Sequence, residues 1–128
     1  MSSTLPNTYA CFIGVGDVNL HNDACQDNIF KLVASELATA DVLYGNLEGP
    51  LAGNEDPCPI PHKPGWTHSD PRMVNNLSVA GFTFMSCASN VSYPPSAALE
   101  SKTVLDSHNI LNTGVGKTIA EALSLIHI

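Results

Sequence analysis

Apolar residues in this chain come in short blocks, separated by glycine, proline and polar turns. Residues 9–16 are a continuous apolar run with a glycine-rich exit, the pattern of a buried parallel strand. Ile29, Leu32, Val33 and Leu37 then recur at helical spacing, which predicts an amphipathic helix over 27–39, with Asp23 or Asp27 near its start. A second strand is expected over 41–47. Together these make a strand-helix-strand unit, whose crossover is nearly always right-handed. Residues 49–70 break the rhythm: Pro50, Pro57, Pro59, Pro61 and Pro64 leave little periodicity and predict a long loop, which also holds His62, Lys63, Trp66 and His68. Pro71 suits the first position of a short helix running to Ala80, and Gly81 suits its end. A third strand is expected over 82–87. A third helix follows over 96–107, with Ala97, Ala98, Val104 and Leu105 on its buried face. A short fourth strand over 110–113 and a helix starting near Lys117 complete the series. Alternation of this kind predicts an α/β fold with a mainly parallel sheet.

Two strand exits carry chemistry. Gly14-Val15-Gly16-Asp17 ends the first strand, and Asn46-Leu47-Glu48-Gly49-Pro50-Leu51 ends the second. Ligands of open α/β sheets bind beyond the carboxyl ends of strands. Neighbouring strands ending in Asp, Asn and Glu can converge there, and oxygen donors suit hard divalent cations. The same residues also suit turns and helix caps. Other motifs fall short of a known chemistry. Gly114-Val115-Gly116-Lys117-Thr118 has the tail of a phosphate-binding loop, but Leu111 stands where its first glycine belongs. Its glycines read better as a tight strand-to-helix turn. Gly14-Val15-Gly16 lacks the later glycine of a dinucleotide fingerprint, which falls on Asn19. The histidines form no HxH or HExxH pair; His21 is four residues from Asp17 and within reach of its site, though a lone loop histidine is more often solvated.

Composition narrows the partners. Five Lys and Arg against twelve acidic residues give a net charge of -7, which opposes binding to nucleic acid or an anionic membrane. No stretch approaches the roughly 20 apolar residues of a membrane span. Residues 1–8 are polar and lack a signal-peptide pattern, so they are expected to form a flexible N-terminus on a chain that is cytoplasmic by default. Cys11, Cys25, Cys58 and Cys87 match no zinc spacing; Cys11 and Cys87 sit in apolar runs and are expected to be small core residues. The segment 123–128 has a reverse translation that coincides with a transposase sequencing adaptor. It is therefore expected to be a non-native tail, leaving 9–122 as the N-terminal part of a longer domain.

Four segments in fixed order give the chain a family resemblance. Gly16-Asp17-Val18-Asn19-Leu20 resembles the "GDxxL" opening of the CapA family, the poly-gamma-glutamate capsule-synthesis proteins. Ala40-Asp41-Val42 with Asn46-Leu47-Glu48-Gly49-Pro50-Leu51 looks like that family's "aDl…NLExPl". Ala80-Gly81-Phe82 with Ala88-Ser89-Asn90 is similar to its "aGFd…laNNH". Thr103, Leu105, Ile110, Gly114-Val115-Gly116 and Ala120-Glu121-Ala122 resemble its downstream pattern. The resemblance implies a calcineurin-like metallophosphoesterase-type fold, a layered sandwich flanked by helices. It implies Asp17, Asn46, Glu48 and Asn90 as catalytic-site residues, with Asp17, Glu48 and Asn90 as ligands of a divalent metal ion (Mn, Zn or Mg). The sequence departs from the pattern at Ser89, which replaces the first Asn, and at Val91, which replaces the His.

The leading expectation is thus a protein of capsule-polymer synthesis, export or turnover, working on an anionic polyglutamate-like polymer or a small-molecule substrate by metal-dependent hydrolysis or transfer. The alternative is a non-catalytic polymer-binding or scaffold protein on the same fold, which Val91 favours. A phosphoesterase of small phosphorylated substrates rests on fold analogy alone.

Overall fold

A computed structural model of the chain describes residues 9–20, 28–53 and 68–123. Four strands, β1 (Phe12–Val18), β2 (Val42–Leu47), β3 (Phe84–Ser86) and β4 (Leu111–Thr113), form one parallel sheet in the order β1-β2-β3-β4. Among the described residues four helices accompany them: α1 (Ala34–Leu37), α2 (Val74–Ala80), α3 (Pro95–Ser107) and α4 (Ile119–Ala122). A 3-10 turn, Pro71–Met73, leads into α2; the Asp70 side chain accepts from the Arg72 amide and caps it. Gly81 closes α2 at φ 88°, a left-handed conformation that costs glycine nothing.

The strand order decides which face is covered. Strands laid down in sequence order with crossovers of one hand send every connection to the same side. That side holds the core: Val18, Leu43, Leu47, Met85, Leu77, Phe82, Val74 and Leu105 are all buried. The opposite side carries Phe12, Val42 and Leu111, which are 64%, 39% and 57% exposed. Phe12 stacks on Tyr44, and Tyr44 packs against Phe84, with ring centroids 6.3 and 5.3 Å apart. Among the described residues β1 is therefore not a strand buried on both faces. It is an edge strand with one open side.

Two other expectations change. The helix foreseen over 27–39 is a run of turns over 28–33 followed by the single helical turn of α1. Asn28 sits at φ 59°, and the Ile29 amide donates to Asn76 Oδ1 at 3.0 Å rather than to a helical carbonyl. Leu37 is buried, but Leu32 is 89% exposed, so the periodic residues do not share one buried face. Cys11 is exposed while Cys87 is buried. The reason is position: Cys11 precedes the edge strand, where its amide donates to the Asp41 carboxylate at 2.6 Å. His21, Asp23, Asp27, Cys25, Cys58, His62, Lys63, Trp66 and residues 1–8 and 124–128 lie outside the described residues.

Helix α3 behaves as its sequence foretells, with Ala97, Ala98 and Leu105 buried and Val104 half-buried. Ser101 adds a polar anchor inside that face. Its hydroxyl accepts from the Leu51 amide at 2.8 Å and donates to the Ala97 carbonyl at 2.8 Å, tying α3 to the chain leaving β2. The Gly114–Gly116 segment makes the strand-to-helix turn. Gly114 has φ 87°, and a Cβ there would stand 2.6 Å from that of Ala88.

Candidate functional site

The site-bearing residues lie at the carboxyl ends of β1, β2 and β3. Regular alternation along β1 would put Asp17 on the core side with Ile13 and Val15. A register shift intervenes: Gly14 pairs with Tyr44, but Asp17 pairs with Asn46, so three steps on β1 match two on β2. Such a bulge re-aims a side chain. Here it lifts Asp17 onto the open face and returns Val18 to the core. Asn46 Nδ2 then donates to Asp17 Oδ1 at 2.8 Å.

Glu48 follows β2 directly. Its amide donates to the Val18 carbonyl at 3.0 Å, so the two strand exits are hydrogen-bonded beyond the ladder. Its half-buried carboxylate accepts no hydrogen bond from the described residues, and neither it nor Asp17 joins an ion pair there. Asn90 is exposed on the loop after β3, and its side chain likewise bonds to none of the described residues. The structure thus joins Asp17 to Asn46 by direct contact. It puts Glu48 and Asn90 at the same edge without a side-chain hydrogen bond to either. Val91 is fully enclosed, at 0% exposure, so position 91 points into packing rather than to the edge.

Two residues join this picture that the sequence does not assign to the site: Ser86, and His68, which it names only as part of the long loop. Ser86 is the register partner of Asn46 on β3, which puts its hydroxyl in the same row of the open face. Parity along the third strand is the signal that identifies it. His68 is buried beneath the loop that carries Asn90, with Nε2 3.2 Å from the Tyr93 carbonyl. Nothing in its local sequence marks it, because the contact spans 25 residues.

In kind, these donors fit a hard cation: Asp17 Oδ2, the Glu48 carboxylate and the Asn90 amide oxygen are all available oxygens. In number, no three His, Cys, Asp or Glu side chains gather among the described residues. Such a set suits an ion held by one or two carboxylates that keeps several waters, as Mg²⁺ does, better than a closed tetrahedral zinc centre.

The family model for bacterial capsule synthesis protein (PGA_cap) matches residues 12–128, nearly the whole chain. The chain belongs to this capsule synthesis family. No curated protein matches it. Its α/β architecture, one parallel four-stranded sheet flanked by helices, is that of the metallophosphoesterase-like fold the family implies. Among the described residues of this family member, no helix is long and apolar enough to cross a membrane.

Proposed function

We propose that the chain works on an anionic, polyglutamate-like capsule polymer through a divalent cation at the Asp17 edge, in synthesis, export or turnover of that polymer. The Asp17–Asn46 hydrogen bond carries this reading, because it fixes one carboxylate oxygen of an exposed aspartate and does not engage the other. Charge supports it too. A polyanion approaching a chain of net charge -7 needs a cation between the two sets of carboxylates. Asp17, Glu48 and Asn90 would hold that ion, and Asn46 would orient Asp17. When bound, a divalent ion supplies Lewis acidity and a water of lowered pKa, the chemistry of hydrolysis or transfer.

A second reading is a non-catalytic polymer binder on the same fold. The enclosed Val91 favours it, since an apolar side chain ligates nothing. Calorimetric titration of the full chain with manganese separates the claims. Wild type is expected to bind, and Asp17→Ala to weaken binding on the order of tenfold or more, since it removes an anionic ligand. Glu48→Ala is expected to act in the same direction. Poly-gamma-glutamate incubated with the manganese-loaded protein then shortens if the chain is a hydrolase and keeps its length if it is a binder. Absence of manganese uptake by wild type would refute the metal-mediated reading.

A further inference from the structure

We propose that His68 is a positioning residue that braces the Asn90 loop against the chain leaving β2. The proposal rests on the reading of Asn90 as a site residue given above, but its structural half can be tested without it. His68 is fixed on one side by its neighbour. The Ser69 amide donates to the Pro50 carbonyl at 2.8 Å, and the Ser69 carbonyl accepts from the Ala52 amide at 3.1 Å. This parallel bridge between Ser69 and Leu51 extends the sheet past β2 and locks position 68 beside the run that carries Glu48.

On its other side the imidazole reaches the loop after β3. Nε2 lies 3.2 Å from the Tyr93 carbonyl, so this nitrogen carries the proton and donates. His68 is 6% exposed, so its ring has little water to replace a lost partner, where an unmade hydrogen bond costs most. The loop itself is a compact turn. The Ser92 amide donates to the Ser89 carbonyl at 3.0 Å, the Tyr93 amide to the Val91 carbonyl at 2.9 Å, and the Ser92 hydroxyl to the Cys87 carbonyl at 2.7 Å. Val91 anchors it by burial. Asn90, by contrast, is exposed, and its side chain bonds to none of the described residues. Its location is therefore inherited from the turn, and the turn is tied to the β2 exit through His68. Two strand exits that each offer oxygen donors are thereby held at a fixed separation.

The test uses His68→Phe, which keeps a ring and loses the donor, and His68→Gln, whose amide can restore it. Amide hydrogen exchange of the metal-free protein is the first readout. His68→Phe is expected to lower protection of the Ser92 and Tyr93 amides by about fivefold or more, and His68→Gln to retain it. Manganese titration is the second. His68→Phe is expected to weaken binding by a similar factor, about fivefold, but to have no further effect in an Asn90→Ala background, because it acts through Asn90. Unchanged protection in folded His68→Phe overturns the brace. An equal loss of affinity with and without Asn90 overturns its action through that residue. If wild type takes up no manganese, the metal reading fails while the exchange data still decide the brace. Should His68→Phe not fold, His68→Leu supplies the same comparison.

Discussion

Gly45→Ala probes how tightly the sheet is packed directly beneath the candidate edge. Gly45 lies on the core side of β2, next to Asn46 in sequence. A methyl group there would stand 2.9 Å from Phe82 Cε1, 2.9 Å from Val18 Cγ2 and 3.3 Å from Val15 Cγ2. Neither of the closest neighbours retreats cheaply. Val18 is β-branched and stiff at χ1. Phe82 is 4% exposed and packs against Phe30, with ring centroids 5.4 Å apart. Two effects therefore oppose each other. Alanine restricts the unfolded chain and stabilises by about 0.5–1 kcal/mol. Overpacking a filled core costs about 1–3 kcal/mol. Contacts under 3.0 Å to two buried groups favour the second effect, and a net loss of about 1–2 kcal/mol is expected. Urea unfolding followed by circular dichroism measures it. With a slope of about 1–1.5 kcal/mol/M, the midpoint should fall by about 1 M at unchanged slope. A midpoint that rises would show that the backbone gain wins, and that the contacts of Phe82 and Val18 relax freely.

Burial pushes the Cys87 thiol up to about 12, with Asp106 adding to the rise and Lys102 opposing it. A raised thiol pKa favours the neutral form in the fold, so its contribution to stability is complete below pH 9.0 and is lost as pH climbs from there toward 12. At pH 8, iodoacetamide should label exposed Cys11 in the native protein and spare Cys87 until denaturant is added. Labelling of both at equal rates would contradict the packing around Cys87. Val91→His, which restores the family's residue type, is expected to lower stability by about 1–3 kcal/mol rather than to add a ligand, because the position is fully enclosed. Thermal unfolding and manganese titration check this together, and a gain in manganese affinity at unchanged stability would refute it.

Much of the architecture is legible in the sequence because it is local. The runs around Ile13, Leu43 and Met85, Pro71 at the start of the turn into α2 and the glycine closing α2 each determine an element within a few residues of themselves. The ordered motifs containing Asp17, Asn46, Glu48 and Asn90 likewise mark the family from the sequence. What the sequence does not contain is the relation between elements. Simple alternation would bury Asp17, and only the bulge against β2 turns it toward Asn46. The helical spacing of Ile29, Leu32, Val33 and Leu37 is real, yet Asn76 captures the Ile29 amide and the helix shrinks to one turn. Phe12 and Cys11 read as core residues, but strand order leaves one face and one edge open, and both fall there. His68 acquires a role through a partner 25 residues away. Hydrophobic period and capping chemistry act over a turn or a strand, so a sequence can state them. Register, sheet coverage and long-range hydrogen bonds depend on which elements meet, and that is settled when the chain packs.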